Sequence, residues 1–252
     1  MALAKTQRSV IRLILSLMLG VGCTATLLWA VQNPDGIADS CIPITQTLSR
    51  IVSYITGILP FSLIEILLIA AFVGAVAAVI RLIYCLIRKS DKIKRLLSFF
   101  SSFLVITLCL IDLFLAMYGV NYFSRPIEES LGLEVKERSV AELEEVTRYM
   151  AEQASLYADR TDRETDLTLT AMDLSRISPI CGAAYDSMSK NDTFFYPSGG
   201  DAKGVLNWYL MSKLGITGIY IPYTAECNVN TDVTAANLPF TVAHEMAHRM
   251  GV

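Results

Sequence analysis

Histidine is nearly absent from this chain, which has two histidines in 252 residues. Its six cysteines include no C-x-x-C pair, so a cysteine-based zinc motif is not indicated. Any zinc site would therefore use the two histidines. Charged residues are also scarce, at 18%, and the net charge of −3 gives no reason to expect a nucleic acid partner.

Long apolar runs fill the first half of the chain, and they explain a mean hydropathy of +0.47. Three runs, at about 10–31, 58–87 and 96–120, are long enough to cross about 30 Å of hydrocarbon as helices. The first resembles a signal peptide in position, but no convincing small-residue cleavage site follows it. We therefore expect three transmembrane helices within residues 1–120, with the lipid bilayer as a partner.

Basic residues indicate how these spans are oriented. They precede the first span or lie between the second and third: Lys5, Arg8, Arg12, Arg88, Lys89, Lys92, Lys94 and Arg95. The only basic residue in the loop at 32–57 is Arg50. The positive-inside rule then predicts a multi-pass protein of the cell membrane, with a cytoplasmic N-terminus and an extracytoplasmic domain at 121–252.

Two acidic residues, Glu65 and Asp112, fall inside the predicted spans. At 1.5 Å per residue both would lie roughly 10–12 Å below the outer surface. Acids at that depth usually face a polar partner or water. The sequence leaves two readings open: the pair meets each other or a polar group of the outer domain, or each side chain extends toward the headgroups.

Residues 121–252 are more polar and predict helices first. Ser139 and Glu142 form a capping-box pattern that opens a helix at about 140–158. Another helix is expected at about 170–190, interrupted or restarted at Pro179, after a polar loop at 159–169.

Short strands and an uncertain segment follow. Residues 205–211 fit either a short helix or a strand, whereas 218–222 predict a strand that suits the edge of a sheet because it ends at Pro222. Of the cysteines expected to face outward, Cys181 and Cys227 are candidates for a disulfide that spacing alone does not establish.

The two histidines are His244 and His248, with Glu245 directly after the first. Residues four apart lie on the same face of a helix, so both imidazoles can reach one metal ion about 2.0–2.1 Å away. Glu245 is rotated about 100° from His244, which places it beside the ion as a general base. This H-E-x-x-H pattern predicts a zinc (Zn2+) site.

The surrounding residues predict that this segment is helical. Asn237 suits an N-cap, Pro239 a first turn and Gly251 a helix end. The side away from the metal carries apolar residues that we expect to be packed: Val242, Ala243, Met246 and Met250.

A catalytic zinc ion usually has three protein ligands, and this helix supplies two. Glu226 and Asp232 precede the helix and do not fit the ligand order typical of H-E-x-x-H sites. We therefore expect the third ligand beyond Val252, in a chain that is a fragment of a longer one.

Four segments carry a family resemblance: Leu59-Pro-Phe-Ser62, Tyr118-Gly-Val-Asn-Tyr122, residues 218–230 and residues 238–248. In these the chain resembles the bacterial membrane proteins grouped as domain of unknown function 3810. The resemblance implies three transmembrane helices followed by a mostly α, α+β zincin-like extracytoplasmic domain, here C-terminally incomplete. It also implies zinc ligands at His244 and His248, Glu245 as catalytic base, and an acidic third ligand on a following helix.

The function expected from these features is a membrane-anchored zinc metallopeptidase, a hydrolase that cleaves a peptide or protein substrate outside the membrane. An intramembrane protease is not favoured, because the segment at 238–251 is too short for a span. A non-catalytic membrane sensor or scaffold that retains the fold is the alternative, and with two ligands this chain itself can be inactive.

Overall fold

The computed structural model describes residues 2–88, 90–158, 160–161, 173–192 and 194–251. Some predicted features lie outside the described residues: most of the loop at 159–169, the first turn of the helix at 170–190, Lys89, and the side chains of Lys5 and Arg8.

The described residues are mostly helical. Their helices are α1 Ala2–Gln32, α2 Pro34–Gly36, α3 Ile42–Gly57, α4 Leu63–Arg88, α5 Lys92–Met117, α6 Ile127–Ser130, α7 Val140–Ala158, α8 Leu174–Asn191, α9 Trp208–Leu214 and α10 Leu238–Arg249. A π-helical turn, Ile37–Cys41, leads into α3, and a 3-10 helix, Gly119–Phe123, follows α5. The strands are β1 Lys203–Gly204, β2 Gly218–Ile221 and β3 Glu226–Val229.

Three of the described helices are long and apolar enough to cross a membrane: Val10–Gln32 of α1, α4 and α5. Their mean hydropathies are 2.0, 2.8 and 2.3, and at most 11% of each apolar window is buried inside the protein. The second begins at Leu63 rather than at the predicted 58, because the chain turns around Pro60. The third ends at Met117, three residues before its predicted end.

α3 occupies most of the segment between the first two long helices, which sequence reasoning treated as a loop. Its buried face is polar: Thr45, Gln46, Ser49, Ser53 and Thr56. Four of them, all except Gln46, have a hydrogen bond to a residue after 120. Ser53 Oγ accepts a hydrogen bond from Gly200 N at 3.0 Å, and Thr56 Oγ1 donates to Thr224 O at 3.0 Å.

A buried ion pair joins the start of α4 to the sheet. Lys203 Nζ lies 2.7 Å from Glu226 Oε1, with both side chains at most 8% exposed. The Glu226 carboxylate also accepts hydrogen bonds from Leu63 N at 2.9 Å and Ile64 N at 3.0 Å. Burial raises the pKa of Glu226, but the ammonium and the two amides outweigh it and hold that pKa below its usual range.

Glu65, near the start of α4, in turn bonds to the segment after residue 120. Its carboxylate accepts hydrogen bonds from Leu206 N at 2.8 Å and Asn207 N at 2.9 Å, at the N-terminus of α9. Of the two readings that the sequence left open for Glu65, the structure therefore favours a polar partner in the segment after residue 120. Glu65 lies in the first turn of α4, two residues after the helix begins, rather than seven residues into the predicted span. Within the described chain no hydrogen bond or ion pair joins Asp112 to Glu65.

The three strands form one sheet with the order β1-β3-β2. β3 lies in the centre, parallel to β1 and antiparallel to β2, with Gly218 opposite Val229 and Ile221 opposite Glu226. β2 is therefore an edge strand, as predicted. α10 packs against β2 and β3 on one side and against α8 on another.

Of the predictions for the helices after residue 120, one is confirmed and one is wrong. The capping box is confirmed, since Glu142 N donates to Ser139 Oγ at 3.2 Å and Ser139 N to Glu142 Oε2 at 2.8 Å. The predicted break at Pro179 is wrong: α8 runs through it, and Ser178 in the preceding position bonds to both Asp201 and the amide of Ala202.

Two undecided points are also resolved. The segment at 205–211 leads into a helix, α9, rather than a strand. Cys181 and Cys227 are not bridged; both are free thiols. Each thiol instead points at a backbone carbonyl of α10, Cys227 Sγ at Glu245 O (3.1 Å) and Cys181 Sγ at Pro239 O (3.9 Å).

Candidate metal site

α10 carries all three predicted site residues, and its ends are largely as the sequence predicts. Pro239 lies in the first turn, and Gly251 after the last residue has a φ of +83°, a conformation that glycine adopts without a steric cost. Asn237 is at the N-cap position, but its side chain makes no capping hydrogen bond.

The predicted packed side of α10 is confirmed. Val242, Met246 and Met250 are at most 3% exposed and belong to the main apolar core. Ala243 is half-buried, and its carbonyl accepts a hydrogen bond from Tyr185 OH on α8 at 3.0 Å. These contacts fix the rotation of α10 about its axis and thereby the direction in which the histidines point.

The two imidazoles lie side by side. The ring centroids of His244 and His248 are 4.5 Å apart, with the planes at 78°. His244 is exposed and stacks on Phe240 at 5.9 Å, whereas His248 is half-buried. Two neighbouring rings on one helix face are the arrangement that a shared metal ion requires.

Glu245 lies on the inner side of α10, under the beginning of β2. Its side chain is 4% exposed, and its Oε2 atom is buried without a hydrogen-bond partner in the described chain. A Cβ atom added to Gly218 would lie 2.6 Å from Glu245 Oε1, so the strand backbone covers the carboxylate closely. Burial raises the pKa of Glu245 to about 7, and the backbone amide of Tyr220 opposes that shift in part.

Three further residues position α10 or its glutamate, and the sequence did not identify them as residues of the site. Cys227 donates its thiol proton to the carbonyl of Glu245, and burial raises the thiol pKa to about 11, so the donor keeps its proton at neutral pH. Arg249, 3% exposed, donates from Nη1 to Gly200 O at 2.6 Å. Gly218 carried the one available sequence signal, because a glycine in a strand often marks a close backbone approach.

The acids that precede α10 are engaged elsewhere. Glu226 bonds to Lys203 and to the start of α4, and Asp232 Oδ2 accepts a hydrogen bond from Ser212 Oγ at 2.8 Å. The described residues contain no group of three or more His, Cys, Asp and Glu side chains around one point. The donor set on α10 therefore fits two of the three protein ligands that a catalytic zinc ion usually takes.

Fold and site together define a mostly helical protein in which three membrane-length helices precede a small mixed sheet and an H-E-x-x-H helix. The chain belongs to the family described as a protein of unknown function, DUF3810, whose family model matches residues 43–252. Searches of the curated proteins and of the solved structures found no match.

Proposed function

We propose that this chain carries the core of a membrane-anchored zinc metallopeptidase, with His244 and His248 as zinc ligands and Glu245 as general base. The arrangement on α10 supports the proposal. The two imidazoles have ring centroids 4.5 Å apart, and Glu245, which lies between the histidines in the sequence, is 4% exposed. Burying a carboxylate with an unpartnered oxygen is costly for the fold, so a role beyond packing is indicated.

The residues of the chain divide the chemistry among them. Zinc, when bound, supplies a Lewis acid for the scissile carbonyl and lowers the pKa of its bound water to about 7. The Glu245 carboxylate accepts a proton from the attacking water and donates it to the amine nitrogen as the C–N bond breaks.

Substrate binding would use the free edge of β2. One side of β2 pairs with β3, and an extended peptide can add to the other side by main-chain hydrogen bonds. Since Gly218 begins β2 directly over Glu245, a peptide on this edge would pass next to the base. A peptide or protein substrate therefore fits the site.

The proposal includes a location. In this proposal the three membrane-length helices cross the membrane, and the basic residues at the link between α4 and α5 favour a cytoplasmic position for that link. The sheet and α10 then lie on the extracytoplasmic side.

The test compares zinc affinity and peptide hydrolysis in the full-length protein and in its Glu245→Gln, His248→Ala and Glu152→Gln variants. We expect Glu245→Gln to keep zinc and lose hydrolysis, and His248→Ala to lose both. Glu152→Gln is the matched control, because it makes the same chemical change at an exposed glutamate of α7. Hydrolysis that survives Glu245→Gln would refute the mechanism.

The alternative function is a non-catalytic sensor or scaffold with the same fold. Two imidazoles 4.5 Å apart on one helix face would also serve a sensor or scaffold that binds zinc without turnover. Zinc that binds through His244 and His248, without hydrolysis of any peptide library by the whole chain or by a longer chain that adds a third ligand, would support this alternative.

A further inference from the structure

α3 is amphipathic in the reverse sense for a helix of a water-soluble protein. Its polar stripe faces the protein, with Ser49 and Ser53 at most 2% exposed. Its apolar residues face away from the protein and are 42–80% exposed: Ile44, Leu48, Ile51, Ile55 and, just after the helix, Ile58.

These apolar positions form one continuous stripe. Ile44, Leu48, Ile51 and Ile55 follow the spacing of four, three and four residues that keeps side chains on one face of a helix. At about 100° per residue the stripe lies on the side opposite the Thr45–Ser49–Ser53 stripe. Contiguous exposed apolar surface of this kind marks a site of contact with a membrane or another protein.

A second exposed apolar element lies at the same end of the long helices. α9 is a short helix that begins with Trp208 and Tyr209 and continues with Leu210 and Leu214, all at least 44% exposed. Its N-terminus is tied to the first turn of α4 by the two hydrogen bonds to Glu65. Tryptophan and tyrosine are the residues enriched where a protein passes from lipid to water.

Both apolar faces are connected directly to a membrane-length helix, and this connection indicates what covers them. α3 leads through a five-residue turn into α4, the most apolar of the membrane-length helices, and α9 is fixed to the same end of α4. Lipid that surrounds α4 therefore reaches both faces without a gap. A second copy of the chain would have to displace that lipid.

We propose that α3 and α9 lie in the membrane interface and hold the sheet and α10 against the lipid surface. The apolar stripe of α3 and the aromatic start of α9 enter the region between headgroups and acyl chains, about 5–10 Å deep. This inference rests on the membrane-spanning part of the proposed function and is independent of zinc and of hydrolysis.

The consequence for the site is a fixed height above the lipid. The side-chain amide of Gln46, on the polar side of α3, lies against Gly251 at the end of α10. α3 thus separates α10 from the lipid, and a helix with its side chains is about 10–12 Å in diameter. Peptide bonds near the membrane surface are then the ones within reach of the site.

The chain contains two tryptophans, Trp29 in α1 and Trp208 in α9, so each can be made the sole fluorescent reporter. The whole chain is reconstituted in phosphatidylcholine vesicles whose acyl chains carry bromine near the headgroup or near the bilayer centre. The Trp29→Phe variant reports on Trp208, and Trp208→Phe reports on Trp29. A chain with both changes and Ile51→Trp reports on α3.

We expect Trp208 and the tryptophan at position 51 to lose fluorescence to shallow bromines more than to deep ones, and to be protected from aqueous iodide. Iodide quenching of either reporter without bromine quenching would overturn the proposal for that helix. Quenching by neither agent would mean that protein, such as a second copy, covers the face, which also overturns it. Absence of bromine quenching at Trp29, measured in the Trp208→Phe variant, would instead refute the membrane-spanning part of the proposed function.

Discussion

Gly218 begins β2 directly over the side chain of Glu245, and its lack of a Cβ atom determines how close the strand can come. An added Cβ would lie 2.6 Å from Oε1 and 2.7 Å from Cγ of that glutamate. Side-chain Cβ atoms essentially never approach other atoms so closely. The position of the proposed general base is therefore set by a residue with no functional group.

We expect Gly218→Ala to move the Glu245 carboxylate and abolish peptide hydrolysis while leaving zinc bound. Overpacking of this kind costs about 1–3 kcal/mol of folding free energy, which thermal unfolding would show. Gly74→Ala is the control, because a Cβ there meets nothing within 4 Å. Unchanged hydrolysis in Gly218→Ala would mean that Glu245 is not held by the strand.

How far the site can be predicted from sequence depends on how local each contact is. The spacing of His244, Glu245 and His248 within one helix predicts that the histidines are neighbours, and the structure brings their rings together. The thiol of Cys227 and the guanidinium of Arg249 support α10 through contacts with distant segments. No single-sequence pattern encodes those pairs, so they could not be predicted.

At the scale of elements, α3 shows what a periodic pattern leaves undetermined. Its apolar residues recur at helical spacing, yet periodicity alone does not say which face turns inward. The polar face is inward here because Ser53 and Thr56 bond to backbone groups of the sheet domain. The sequence prediction of a loop at 32–57 is therefore wrong for most of this segment.

The contact between Glu65 and α9 gives a prediction for these elements. Glu65→Ala removes the acceptor for the amides of Leu206 and Asn207, and each hydrogen bond of this kind contributes about 0.5–1.5 kcal/mol. Hydrogen exchange at the amides of α9 should accelerate accordingly.

Asp112→Ala is the matched control for Glu65→Ala, because Asp112 has no hydrogen bond to Glu65 or α9 in the described chain. We expect its effect on α9 exchange to be negligible. Equal acceleration in both variants would show that the two acids act together, the reading that the sequence left open.

At the scale of the whole molecule, the membrane-length helices and the sheet domain interlock. An acid of the sheet, Glu226, binds the first amides of α4, and an acid of α4, Glu65, binds the two amides just before α9. α3 fills the space between them with its polar side. The proposed division at residue 120 therefore separates segments that are in direct contact.

Orientation in the membrane can be tested with a membrane-impermeant maleimide and two variants that each carry one added cysteine. We expect Glu137→Cys, in the exposed segment before α7, to react in intact cells, and Ser90→Cys, between α4 and α5, to react only after the cells are broken. The unsubstituted chain gives the background from its own thiols. The opposite pattern would contradict the extracytoplasmic placement of the site.

The buried ammonium of Lys203 has a practical consequence for anyone who wishes to assay a water-soluble piece of this protein. Two of its three acceptors, the carbonyls of Thr56 and Phe61, come from the segment before residue 120. A fragment that starts after the third long helix would leave that cation with one partner and strip the polar face of α3 from the sheet. Failure of such a fragment to bind zinc or cleave peptides would report on a damaged fold and say nothing about the chemistry of the intact chain.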